Sequence, residues 1–375
     1  MREIASVIRP EVISLACAAP DAPPPEIAAA YARIVPELAG LSGEIGYHPA
    51  GYLPLRVAIA ERYTRLGAPT RPEQILVTNG GQQGLTLLAR ALLRPGDRVV
   101  LETPTYPGAL EAFREASAVL RPLPLGLTGF RTAVRSGAAL AYVTPTFQNP
   151  TGTVLSRLVR RGLAEAAAAA GIPLIVDEVL AELAFPGAPE LPPTAADVDS
   201  VITVGSLSKS LWGGLRVGWV RADPATIARL ARLRAVGDLG GNLPAQMAAT
   251  GLVADLDSLC RAQALTRKAA HDSLIEDLAV HLPQWPVAPV PGGQSLWIPL
   301  PHGDGASFAQ TALRHDIAVL AGNGLDPTGS SDGHIRLHFR HPRSTLRDAV
   351  LRLAAAWADY RPPARISAPA PAFAI

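Results

Sequence analysis

Hydrophobic and polar positions fall into two regimes along the chain. Through the centre, short continuous apolar runs alternate with stretches of helical period. Residues 75–78 (ILVT) read as a strand that turns through Asn79-Gly80-Gly81 into a helix over 82–93, stopped by Pro95-Gly96. Further strands are expected at 98–101, 140–144, 174–177, 201–204 and 217–220, with an alanine-rich helix over 158–170 that ends at Gly171. Strands that are apolar throughout, spaced by helices, predict an α/β unit with a mostly parallel, seven-stranded-type sheet covered on both faces. After Gly292-Gly293 the pattern becomes a strand (295–299), a helix (306–315), a strand (334–339) and a helix (345–360), which suits a smaller α+β domain. The expected division is 1–44 as an N-terminal segment packing with the small domain, 45–280 as the large domain and 281–375 as the small one. From about 364 the chain is Pro/Ala-rich and is expected to be disordered.

Composition narrows the function. Lys+Arg 34 against Asp+Glu 32 leaves a formal charge of only +2, so there is no basic footprint for nucleic acid or a membrane surface. Cys17 and Cys260 are the only cysteines, too few for a disulfide framework or a thiolate metal site. No charge-free apolar h-region and no uninterrupted apolar span is present, so a soluble cytoplasmic protein is expected. Lysine occurs only at Lys209 and Lys268, so all but two of the 34 basic residues are arginine. A reaction that needs a titratable amine has two candidates.

Lys209 sits in Ser206-Leu207-Ser208-Lys209-Ser210 at a strand end, with Arg216 seven positions later. A desolvated lysine amine there can condense with an aldehyde; a surface lysine in a Ser/Gly loop is the plain alternative. Lys268, in a helical context, reads as solvated. Asp177 terminates an apolar strand at the edge where open α/β sheets bind ligands, or else caps a helix. Pro145-Thr146-Phe147-Gln148-Asn149-Pro150-Thr151-Gly152 is turn chemistry taken alone. Asn79-Gly80-Gly81-Gln82 opens a helix whose free N–H groups favour a phosphate, as other strand-to-helix turns would.

Taken together, their order and spacing resemble the pyridoxal-phosphate-dependent aminotransferases of fold type I (class I/II), above all the branch shared with the aminotransferase-like domains of GntR-type regulators. Gly46-Tyr47-His48-Pro49-Ala50-Gly51, Thr103-Pro104-Thr105-Tyr106 and His334-Ile335-Arg336-Leu337-His338-Phe339 extend the likeness from about Ile13 to Phe339. It implies pyridoxal 5'-phosphate as cofactor, joined to Lys209 as a Schiff base, with Lys209 later carrying the proton. Asp177 would pair with the pyridinium nitrogen and Asn149 with the phenolic oxygen. Gly81, Gln82, Ser206, Ser208 and Arg216 would bind the phosphate, and Tyr106 would stack on the ring. Tyr47 would reach the phosphate of a neighbouring subunit, making a homodimer with shared sites. Arg336 would clamp the substrate α-carboxylate, with Ala18 and Asn149 also touching substrate. No metal is implied. Apart from the resemblance, Tyr106 also suits a core aromatic, Tyr47 a surface residue and Arg336 a structural ion pair; His334 and His338 read as strand packing or surface.

Three departures stand out. Leu180 replaces the tyrosine usual three residues after the aspartate, which removes a donor to the phenolic oxygen. Cys17-Ala18-Ala19-Pro20-Asp21 replaces a Gly-Gly-x-Pro-Asp turn. Trp212-Gly213 stands where Ala-Pro is frequent, its indole either lining the pocket or packing beneath the loop. The resemblance implies ping-pong transamination between an α-amino acid and a 2-oxo acid. The rival readings are elimination, replacement, oxidation or carbon–carbon bond formation at the same site, and a non-catalytic cofactor-binding sensor. No DNA-binding module is visible.

Overall fold

The computed structural model describes residues 11–17, 19–20, 22–189 and 191–363. At its centre lies a seven-stranded sheet. Its spatial order is Ile75–Thr78, Gly218–Arg221, Ile202–Ser206, Leu174–Asp177, Ala138–Val143, Arg98–Thr103, Val119–Pro124. Every pairing is parallel except those of Gly218–Arg221, which runs antiparallel to both neighbours. The fold is therefore α/β with a mostly parallel sheet.

Burial on both faces explains the uninterrupted apolar runs. Alternate side chains of one strand enter opposite cores. Leu174 and Val176 join Leu55, Tyr63 and Trp219 on one face, while Ile175 joins Leu85, Phe113 and Tyr142 on the other. Expected and observed elements agree to within two residues at their ends; the helix expected at 82–93, for example, is Gly81–Leu92. Val119–Pro124 was not foreseen. Its sequence, VLRPLP, carries two prolines that cannot donate to a ladder, and the edge of the sheet is where such a strand is tolerated.

The smaller α+β unit is a three-stranded antiparallel sheet, Leu320–Ala321, His334–His338 and Ser295–Pro299, backed by helices Gly305–Arg314 and Arg343–Asp359. Leu296, Ile298, Phe308, Leu337, Leu353 and Trp357 form its core. Ile13–Ser14 pairs in parallel with Ile317–Ala318, and Leu15 enters this second core. The helix Pro25–Ala39 instead lays Ile27, Ala30 and Ile34 against the core of the large sheet. One long helix, Leu256–His281, belongs to both: Leu256 and Cys260 pack in the first core, Leu274 and Leu278 in the second. Residues from 364 onward, expected to be disordered, lie outside the described residues. Among the described residues no helix is long and apolar enough to cross a membrane.

Candidate active site

Parallel strands bring their carboxyl ends to one edge of the sheet, and the chemistry-bearing residues follow from there. Asp177 is the last residue of Leu174–Asp177. Its carboxylate accepts hydrogen bonds from the Tyr142 hydroxyl at 2.8 Å and from the Val179 N–H at 3.0 Å. Burial nonetheless raises its pKa, and the nearby Lys209 charge offsets that only in part. A buried carboxylate of this kind calls for a cation in front of it.

Lys209 follows the strand Ile202–Ser206 in a tight turn. Its amine is pushed down from the usual lysine value, first by burial and further by the charges of Arg336, Arg340 and Arg216. Lys268 is different: it is half-exposed on its helix and pairs with Asp272 four residues on. Only one of the two lysines has the surroundings of a nucleophile.

Tyr106 precedes the helix Pro107–Glu115, its hydroxyl pushed up to about 12 by burial and by the charge of Asp177. The same ring lies within reach of the charges of Arg336 and Arg216. Arg336 enters from the second sheet, on His334–His338. It is 7% exposed, and burial lowers its guanidinium to about 10. Nη1 donates to Asn149 Oδ1 at 2.8 Å, and Nη2 to the carbonyl of Ala16. With Oδ1 engaged, Asn149 has its Nδ2 as the group to offer a ligand.

A cradle lies at the start of the helix Gly81–Leu92. Gly80, at φ +84°, turns the chain so that the first N–H groups, Gly81 and Gln82, open the helix without intrahelical partners. Arg216 lies across this turn, Nη2 donating to the carbonyl of Asn79. A Cβ added at Gly80 would come within 2.9 Å of Arg216 Nη2, so glycine is what admits the guanidinium. The Ser208 hydroxyl is buried and has no hydrogen-bond partner among the described residues. Ser206 Oγ is already engaged, donating to the Val217 carbonyl at 3.3 Å and accepting from the Ser208 N–H at 3.1 Å. The Gln82 side chain reaches the Gly108 carbonyl instead, at 2.8 Å.

Tyr47 is 64% exposed. Ala18, expected at the substrate, lies outside the described residues. Leu180 packs with Phe147 and Leu183 in a small apolar cluster. Trp212 packs beneath its loop: it lies against the large core, and its ring covers Gly214, where an added Cβ would come within 2.2 Å. His338 is buried, accepting from the Arg340 N–H at Nδ1 and facing the Ser14 carbonyl at 2.7 Å through Nε2. Among the described residues no cluster of His, Cys, Asp and Glu could hold a metal. Sequence reasoning missed Tyr142, the donor to Asp177. The available signal was a hydroxyl within an otherwise apolar strand, which needs a partner once buried.

A desolvated amine, a buried carboxylate and an open helix start on the carboxyl edge of such a sheet are the features of a fold type I pyridoxal-phosphate enzyme. The chain belongs to the aminotransferase class I and II family, whose model matches residues 10–353. It is 31% identical over 367 residues to the 2-aminoadipate transaminase of Thermus thermophilus, covering 92% of this chain and 90% of that one. It is 33% identical over 212 residues to the HTH-type transcriptional regulator YdfD of Bacillus subtilis, covering 54% of this chain and 44% of that one. Among solved structures, the alpha-aminoadipate aminotransferase LysN from Thermus thermophilus, complexed with N-(5'-phosphopyridoxyl)-L-leucine, matches with a TM-score of 0.85 at 27% identity. That match covers 94% of this chain and 93% of the other. The cofactor is pyridoxal 5'-phosphate. The residues present fit it: the unpartnered Ser208 hydroxyl, the glycine turn under Arg216 and the buried Asp177 are what its phosphate and ring nitrogen need.

Proposed function

We propose that the chain is an aminotransferase that moves the amino group of an α-amino acid to a 2-oxo acid in two half-reactions. The observation that carries this reading is the Lys209 amine at the end of the strand Ile202–Ser206, half-buried, lowered in pKa and within the electrostatic reach of both Asp177 and Arg336. When bound, pyridoxal phosphate supplies an aldehyde that exchanges amines and a ring that accepts the electron pair released at the substrate Cα.

The chain's own residues do the rest. The N–H groups of Gly81 and Gln82, the Ser208 hydroxyl and Arg216 hold the phosphate, while Ser206 shapes the loop behind Ser208. Asp177, oriented by Tyr142 and Val179, would face the ring nitrogen and hold a proton there. Tyr106 would cover one face of the ring, and Asn149 Nδ2 would donate to the phenolic oxygen. Arg336, its fork aimed by Asn149 and the Ala16 carbonyl, would bind the substrate α-carboxylate. Lys209 Nζ, its pKa lowered by burial, then takes the Cα proton and returns it on the cofactor side. A 2-oxo acid uses the same clamp in reverse.

Tyr47 and Ile45 are 64% and 80% exposed, and we place them against a second copy, where Tyr47 reaches the partner's phosphate. The proposed compartment is the cytoplasm, in keeping with two free thiols. The test is a panel of amino acids, each paired with a 2-oxo acid. Stoichiometric appearance of the matching 2-oxo and amino acids, lost in Lys209→Ala, supports transfer. Release of ammonia or of a side-chain fragment, with no new amino acid formed, overturns it in favour of elimination.

A further inference from the structure

The loop 145–152 carries more than Asn149. Its neighbour Gln148 is 2% exposed, and its amide is fully engaged within the protein. Nε2 donates to the Pro104 carbonyl at 2.6 Å and lies beside the Glu102 carboxyl. Oε1 accepts from the Thr151 N–H at 3.0 Å and from the Thr151 hydroxyl at 2.7 Å. Both ends of the amide are thus committed to the protein.

The Pro104 bond matters because of where it falls. Pro104 has no N–H, and two residues later comes Tyr106. The far side of this turn is held from the smaller unit, by the Thr105 N–H on the Leu325 carbonyl at 2.8 Å and by Thr103 Oγ1 on Asp326 at 2.7 Å. The near side is held by Gln148, whose next residue is Asn149. One buried amide therefore fixes the spacing between the segment that bears Tyr106 and the segment that bears Asn149.

We infer that Gln148 is a positioning residue: it sets the ring-stacking tyrosine and the phenolic-oxygen donor at the separation the cofactor ring requires. The inference rests on the proposed function, since it gives Tyr106 and Asn149 the roles stated there. Because Asn149 also anchors Arg336, a shift of the loop reaches the carboxylate clamp as well.

Gln148→Met keeps the length of the side chain and removes the bond to Pro104. In the holoenzyme, kcat is expected to fall about ten- to a hundredfold, the loss that follows displacement by a fraction of an ångström to an ångström. The visible circular dichroism of the bound cofactor should weaken, and the pH midpoint of its absorbance should rise as the Asn149 donor withdraws. In an Asn149→Ala background the same substitution should cost less than in the wild type, because the part of its effect carried by Asn149 is already gone and only the part through Tyr106 remains. Thr151→Val, which loosens the amide without touching the core, should move each readout the same way by a smaller step, and serves if Gln148→Met does not fold. Wild-type dichroism, midpoint and kcat in a variant that has lost only thermal stability would overturn the inference and leave the proposed function intact. A wild-type protein that takes up no pyridoxal phosphate would overturn both.

Discussion

Arginine replaces lysine almost everywhere in this chain, and the exception at Lys209 is chemical. A guanidinium stays protonated, whereas the amine of Lys209, desolvated and facing the charges of three arginines, is held below the usual lysine value. Such residues were legible in the sequence because their types are rare and their places, at strand ends, are set by local pattern. Tyr142 and Glu102 were not legible, since what a buried polar atom meets depends on strand register. Glu102 is 1% exposed, with Gly126 N–H donating to Oε1 at 2.9 Å and Oε2 without a hydrogen-bond partner. Burial pushes its carboxyl from 4.5 up to about 7. The folded state thus prefers the protonated acid: this contribution to stability is complete below about pH 4.5 and is lost as pH rises through about 7. The shift corresponds to roughly 3 kcal/mol. Glu102→Gln, which keeps the shape without the titration, should show a flatter stability profile between those pH values. Denaturant unfolding at several pH values checks this, and parallel profiles for the two proteins would refute it.

At the scale of elements, apolar runs predicted the sheet because a strand buried on both faces has no polar positions to confuse it. The pattern fails where an element is half-exposed, as in Val119–Pro124, whose burial alternates and whose prolines read as loop. Turn glycines were visible, but the task of Gly80 was not: it leaves room for Arg216 at the helix start. Gly80→Ala combines strain at φ +84° with displacement of Arg216, and should raise the cofactor dissociation constant about tenfold, or about 1.4 kcal/mol. Gly96→Ala is the matched control, since Gly96 has φ +85° with nothing within 4 Å of the added Cβ. It should reduce stability without affecting cofactor affinity. Equal losses of affinity in both variants would show that backbone strain, rather than Arg216, is responsible.

For the whole molecule, two cores share the helix Leu256–His281, and the site lies where the large sheet's edge meets Arg336 from the smaller unit. Leu15 and the His338 contact with Ser14 bring the N-terminal segment to the same junction, so that Ala16 can aim Arg336. Sequence pattern foresaw both sheets, while this convergence came from motif order alone. The exposed Tyr47 leads to a prediction about assembly. Light scattering should give twice the chain mass, and Tyr47→Phe should weaken cofactor retention several-fold while leaving that mass unchanged. A monomer with full activity would contradict the shared site.

The central claim is that one lysine of two carries the cofactor. The decisive measurement is borohydride reduction of protein saturated with pyridoxal phosphate, followed by peptide mass spectrometry. A single phosphopyridoxyl group is expected on the peptide containing Lys209 and none on that containing Lys268. Label on Lys268, or on neither peptide in protein saturated with pyridoxal phosphate, would contradict it.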